Sequence, residues 1–187
     1  MMATDGKIII AIIVIIVVVI IVGWCIATRN KFARILVKIG EADSGIDVAL
    51  TKRFDTLTKM LDVTKGYSEH EAKVLSNIVS LRKGMSIAER GVANHQMDEL
   101  SGKISILAEN YPELKASENY KQLQLSVAEV EEHLQASRRI YNMNVSSFNQ
   151  LLASWPASII GSAMRQTPKD FFEAEESRKQ DVKIEFK

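Results

Sequence analysis

The chain has 187 residues and carries 24 Lys and Arg against 23 Asp and Glu, interspersed so that neither a basic field nor an acidic tail stands out. That balance argues against nucleic acid as a partner. Three prolines and nine glycines suit long helices rather than an all-β fold, and the single cysteine, Cys25, excludes an intramolecular disulfide and metal sites built on several thiolates.

The first element is an anchor. From Ile8 to Ala27 there is no charge, and Ile, Val and Ala dominate. At 1.5 Å per residue such a stretch spans roughly 30 Å as a helix, the thickness of a bilayer's hydrocarbon core, so residues 8–27 are expected to form a transmembrane helix after a short segment 1–7. Each Ile or Val near the centre favours insertion by roughly 0.3 to 0.6 kcal/mol, and no buried charge opposes it. The run is longer than the apolar core of a signal peptide and no A-x-A cleavage site follows it, which predicts retention. Arg29, Lys31, Arg34 and Lys38 crowd its C-terminal side, whereas Lys7 stands with Asp5 on the other. The positive-inside bias therefore places the N-terminus outside and the large domain in the cytoplasm, with Trp24 as an interfacial anchor. Cys25 reads as a small apolar filler at the membrane edge.

Beyond the bilayer the pattern is helical. Ile35, Ile39, Ala42, Ile46, Leu50, Phe54, Leu57 and Leu61 recur at spacings of three and four, predicting one helix that continues to about Thr64, with Gly45 as a weak point. Gly66 is a stop, and Ser68 with Glu71 forms a capping box that starts a second helix, whose face carries Val74, Ile78, Leu81, Met85 and Ala88. That helix is expected to end near Arg90, before Gly91. A shorter third helix then starts around Asn94, presents Leu100, Ile104 and Leu107, and stops at Tyr111-Pro112 because the residue before proline is pushed out of helical geometry.

The fourth helix has the clearest pattern. Ser117 is its N-cap, and Tyr120, Leu123, Val127, Val130, Leu134, Ser137, Tyr141, Asn144, Phe148, Leu151 and Trp155 make a coiled-coil seam that ends against Pro156. The exposed part of the first helix and the fourth are each roughly 55 Å long, the second and third about 33 and 24 Å. These lengths predict an all-α fold: an antiparallel up-and-down four-helix bundle over 28–156, following the membrane helix. Such a bundle brings Trp155 back to the membrane side, so Ala157 to Met164 would plug the base of the bundle or touch lipid. The remainder of 157–187 is expected to be partly extended or disordered. Phe171 and Phe172 precede Glu173, Glu175 and Glu176, and Val182, Ile184 and Phe186 alternate with charges in a period of two.

Several short motifs, in order, make the chain similar to a known family. Gly45-Ile46-Asp47-Val48, Lys52-Arg53-Phe54-Asp55, Lys65-Gly66-Tyr67, Tyr111-Pro112-Glu113-Leu114-Lys115, Arg138-Arg139-Ile140-Tyr141-Asn142, Phe148-Asn149 and Phe171-Phe172-Glu173-Ala174-Glu175 resemble the LemA family of bacterial proteins. The resemblance implies a membrane-anchored helical bundle with a largely undefined biochemical role. Some magnetosome membrane proteins are similar, which points towards membrane organisation. Family members often carry a proline soon after the position of Asp55, where this chain has Leu57 and Thr58, so the continuity of the first helix depends on that difference.

Reaction chemistry is not evident. A di-iron bundle needs Glu three residues before His on two helices, and none of His70, His95 or His133 satisfies this. Glu129 and His133 share a helix face, as do Glu69 and Lys73, in the manner of solvated pairs. The Glu69-His70-Glu71 cluster sits at a helix start, where carboxylates meet the helix dipole. No Gly-rich phosphate loop, G-x-S-x-G elbow or H-E-x-x-H is present. Tyr141 and Asn142, with Arg138 and Arg139 a turn earlier, are the best candidates for a role beyond packing: Tyr141 in the core with its hydroxyl needing a partner, the arginines on the solvated surface. No catalytic, cofactor-binding or metal-ligating residue is assigned, and no cofactor is expected. The expected function is a non-enzymatic scaffold or interaction protein of the bacterial cytoplasmic membrane. Its partners would be the bilayer through 8–27, other proteins and, in one arrangement, further copies of itself. The alternatives are a ligand- or metal-sensing bundle and a membrane-remodelling protein.

Overall fold

The computed structural model describes residues 2–65 and 85–172. Within them the chain is all-helical, with no strand: α1 (Met2–Lys65), α2 (Ile87–Asn110), α3 (Pro112–Ala116), α4 (Glu118–Ala153) and α5 (Ala157–Ala163). The described residues group into two compact units, one of 2–40 with 144–169, the other of 41–65, 85–143 and 170–172. The helix expected from Ser68, with Glu71, Val74, Ile78 and Leu81, lies outside the described residues, as do Gly66, His70, the run Glu173 to Glu176 and the alternation around Val182, Ile184 and Phe186.

α1 is uninterrupted through Lys65. Between Asp55 and Thr58 it has no proline, so no backbone N–H is removed from the i to i−4 ladder. Its surface changes along its length. The aliphatic residues from Ile9 to Val22 are exposed, whereas Phe32, Ile39, Ala42, Ile46, Leu50, Leu57 and Leu61 are buried. The expected stripe departs at two places, for Ile35 and Phe54 are only half-buried. Beside Phe54 the buried position belongs to Arg53, at 3% exposure.

In the first unit, Phe32 of α1 and Phe148 of α4 meet edge to face, with ring centroids 5.7 Å apart. Gly161 of α5 lies against them. A Cβ there would run into the Leu152 side chain and come within 3.2 Å of Phe32 Cζ, so the close approach requires glycine. α5 then closes with a Schellman turn: the Gln166 N–H donates to the Gly161 carbonyl at 3.0 Å and the Arg165 N–H to the Ser162 carbonyl at 2.9 Å. Arg165 occupies the left-handed region, φ 53°, where glycine is usual. The Trp155-Pro156 peptide bond is cis. Trp155 is 82% exposed, which corrects its expected place in the seam. α4 ends at Ala153, so Trp155 lies beyond the helix whose face it was expected to share.

In the second unit, α2 corrects the expected boundary between a second and a third helix. No turn separates Arg90 from Asn94; the helix begins at Ile87, and Gly91 lies in its interior. Its start is set by a capping box. The Glu89 N–H donates to Ser86 Oγ at 3.2 Å, and the Ser86 N–H donates to Glu89 Oε2 at 2.7 Å. A glycine inside a helix costs about 1 kcal/mol relative to alanine, but Arg90 and Asn94 on either side of it are tied to α1 and hold the helix through it. At the other end the expected stop stands: Tyr111 has φ −123° and ψ 84°, and Pro112 opens α3. Ser117 caps α4, its Oγ accepting the Tyr120 N–H at 3.3 Å.

Along α4 the buried stripe is Tyr120, Val130, Leu134, Ser137, Tyr141, Val145 and Phe148, with Leu123, Val127 and Leu151 half-buried. The expected Asn144 is replaced by Val145, because a helix of 3.6 residues per turn drifts away from a strict heptad. Asn144 sits at the edge, where its Nδ2 donates to the Lys38 carbonyl at 3.4 Å. Gly45 has a role that its helix propensity hides. A Cβ at that position would come within 3.3 Å of Ser137 Oγ, so two small residues let α1 and α4 approach.

Candidate functional site

Two kinds of polar construction stand out. The first consists of ion pairs made by two buried arginines in the second unit. The Arg53 side chain, 4% exposed, extends from α1 into a ring of acceptors: Nη1 donates to Asn94 Oδ1 and Nη2 to Asp98 Oδ1, each at 2.5 Å, while Nη2 lies 3.1 Å from Glu131 Oε2 on α4. Arg90 of α2 makes the reciprocal arrangement. Its Nη2 lies 2.8 Å from Asp43 Oδ1, and its Nη1 donates to Asp47 Oδ1 at 2.9 Å. The planar guanidinium, with donors in a fixed fork, suits these contacts. Each arginine faces two carboxylates, so each buried positive charge is more than matched. The two clusters tie α1 to α2, and Arg53 also reaches α4, so they hold these helices in register.

The second construction is a pair of asparagine clamps on α4. In the second unit, Asn142 Nδ2 donates to the Phe172 carbonyl at 2.9 Å, and its Oδ1 accepts the Phe172 N–H at 2.8 Å. The amide thus pairs with both backbone groups of one residue, as a neighbouring strand would. Tyr141 is 5% exposed and its hydroxyl donates to the Asp170 carbonyl at 3.2 Å. The Arg138 guanidinium lies 4.4 Å from the Phe172 ring centroid, a cation–π contact. In the first unit, Asn149 makes the same two-way clamp on Lys169, both bonds at 2.9 Å. The Lys169 ammonium lies 5.7 Å from the Phe148 ring centroid. Each clamp follows an aromatic residue of the buried stripe, in the dipeptides Tyr141-Asn142 and Phe148-Asn149, seven residues apart.

Burial raises the Tyr141 hydroxyl above its ordinary pKa. The Asp43 carboxylate adds to this, Arg90 opposes it, and Asp170 adds a further contribution. Tyr120 is raised too, by burial first, with the neighbouring Ser105 and Gln124 side chains pulling the other way and Glu109 reinforcing the shift.

Of the residues singled out in the sequence, Tyr141 is in the core as expected and finds its hydroxyl partner on the segment after α5. Asn142 lies beside it. Arg138 corrects its expected place on the solvated surface, being half-buried over Phe172, whereas Arg139 is exposed. Glu129 meets Lys52 at 3.6 Å with both side chains largely exposed, and His133 is exposed. Among the described residues no group of three or more His, Cys, Asp or Glu side chains is placed to hold a metal ion. The sequence marks Arg53 only as part of a family motif and Arg90 only as an expected helix end, and gives Asp98 no signal, since charges between apolar positions ordinarily face water. The one sequence signal for the clamps is the aromatic–Asn dipeptide repeated at seven residues.

The family described as "LemA family" matches residues 42–186. A curated relative, "Protein LemA" of Metamycoplasma hominis, is 28% identical over 162 residues, covering 84% of this chain and 74% of that protein. The matched span takes in both arginine clusters and both asparagine clamps, and on that match the chain belongs to the LemA family.

Proposed function

We propose that the protein is a non-enzymatic scaffold of the bacterial cytoplasmic membrane: a single-pass anchor with its N-terminus outside, carrying an antiparallel four-helix bundle that presents interaction surfaces in the cytoplasm. The observation that carries this reading is the composition of α1. One helix holds both an exposed apolar run, Ile9 to Val22, within a stretch whose mean hydropathy reaches 3.6, and the buried residues Ile46, Leu50 and Leu57. Water disfavours so long an exposed aliphatic surface, whereas a bilayer accepts it.

The order of contacts supports the bundle. Moving up α1 from Asp43 and Asp47 to Arg53, the partners on α2 rise from Arg90 to Asn94 and Asp98. Over the same stretch the partners on α4 fall from Ser137 beside Gly45 to Glu131 beside Arg53. α1 and α2 therefore run the same way, and α4 runs against both. The scaffold reading is further supported by the Arg53 and Arg90 ion pairs, which link α1 to α2 and α4.

Topology is the direct test. With a reporter fused to the C-terminus that works only in the cytoplasm, and in parallel one that works only outside, the cytoplasmic fusion is expected to be active. Activity of the outer one instead would reverse the anchor and overturn the cytoplasmic placement. For the scaffold itself, proximity labelling should recover reproducible protein neighbours above a control bearing residues 1–30 alone.

A further inference from the structure

We propose that an open groove between α1 and α5 is a binding site for an anionic phospholipid, an inference that rests on the membrane anchoring proposed above. The groove holds about 460 Å³ and is lined by Cys25, Ile26, Arg29, Ile160, Ala163 and Met164. That volume falls within the roughly 300 to 1,000 Å³ of small-molecule sites, and the lining has their usual composition, apolar walls with one orienting charge. Arg29 is the charge, two residues beyond the end of the uncharged run.

Three observations fix the chemistry of the occupant. The Ile26 wall continues the exposed apolar surface of α1, so an acyl chain lying on that surface passes into the groove without crossing a polar step. The Arg29 guanidinium can give two N–H groups to one phosphate. On the α5 side, Ile159 is 58% exposed and adds apolar surface, and Trp155, 82% exposed, is an aromatic of the kind that rests at the headgroup layer. A soluble anion would use Arg29 and leave the walls wet; a neutral lipid would use the walls and leave the guanidinium without its counter-charge. A phosphodiester with acyl chains satisfies both.

The test uses the full chain in phosphatidylcholine vesicles, with Trp155→Phe so that Trp24, next to Cys25, is the remaining tryptophan. Its fluorescence is quenched with lipids brominated on the acyl chains near the headgroup. Brominated phosphatidylglycerol is expected to reach half-maximal quenching at about a fivefold lower mole fraction than brominated phosphatidylcholine, the preference typical of one fixed basic contact. Arg29→Gln should remove that preference, Lys31→Gln should leave it, and Ala163→Phe, which fills the groove without touching charge, should also remove it. Equal quenching by the two lipids would overturn the site while leaving the anchor standing. So would a loss from Lys31→Gln as large as that from Arg29→Gln, which would mean diffuse attraction, or a preference that survives Ala163→Phe. No quenching of Trp24 by any brominated lipid would overturn the anchor and the site together.

Discussion

Arg53 and Arg90 are buried because acceptors reach them from other helices, and that dependence makes them sensitive to partial removal. Arg53→Ala removes the guanidinium that Asn94, Asp98 and Glu131 share and is expected to cost about 3 kcal/mol in chemical denaturation, the low end for a buried ion pair because both carboxylates are partly exposed. Replacing the whole cluster, with Arg53→Met, Asn94→Leu, Asp98→Leu and Glu131→Leu, should recover most of that loss, since no unpaired charge then remains buried. Failure to recover would mean that the contact geometry contributes more than charge matching does. Asn142 makes a narrower case. Asn142→Ala removes two hydrogen bonds, each contributing about 0.5 to 1.5 kcal/mol, so hydrogen exchange at the Phe172 amide should accelerate. Asn142→Asp still accepts the Phe172 N–H but sets an anion against the Phe172 carbonyl, and should give an intermediate rate. If Asn142→Asp matched the native chain, the donated bond to the carbonyl would be contributing nothing.

At the scale of elements, the boundaries of α2 show local and tertiary signals competing. Gly91 has the look of a helix stop, yet the Ser86–Glu89 capping box starts the helix before it and the contacts of Arg90 and Asn94 carry the helix across it. The two readings predict opposite signs for one substitution. A Cβ at Gly91 meets nothing within 4 Å, so in a helix interior Gly91→Ala should stabilise the protein by about 0.5 to 1 kcal/mol. At a left-handed helix terminus the same change would destabilise it, and the sign of the shift in thermal midpoint distinguishes the two. In α4 the competition is between periods. The heptad expected through Asn144 gives way to a stripe through Val145, which leaves Asn144 at the edge and keeps Tyr141 and Phe148 inside. Because those two aromatics are buried, the asparagines that follow them emerge at the edge of the packed face, where the segment after α5 meets them.

For the molecule as a whole, the buried tyrosines predict an alkaline limit to stability. Tyr120 and Tyr141 both have hydroxyls raised above the ordinary value of 10.0 by burial. The unfolded chain therefore releases these protons first as pH rises, so ionisation favours unfolding: their contribution is fully present below about pH 10 and is lost above it as pH climbs through the folded-state values. Tyr141→Phe should flatten the alkaline fall in denaturation free energy relative to the native chain, and combining it with Tyr120→Phe should flatten it further. An unchanged slope would mean that other groups set the limit.

The all-helical character, the membrane-compatible run, the Tyr111-Pro112 break, the Ser117 cap and most of the apolar stripe were legible in the residues alone, because each depends on neighbours within one or two turns. The same holds for family membership, carried by several short motifs in order. Tertiary structure decided what lies beyond that range: that Arg53 rather than Phe54 is buried, that Arg138 covers Phe172, that Gly45 and Gly161 are small for the sake of a facing helix, and that Asn142 and Asn149 hold backbone rather than solvent. A charge or an amide is buried only when its partner arrives, and those partners lie from 20 to 45 residues away along the chain for the clamps and for the contacts of Arg53 with α2. Local sequence fixes which face of a helix is apolar, but the polar residues admitted to that face are chosen by the helix on the other side.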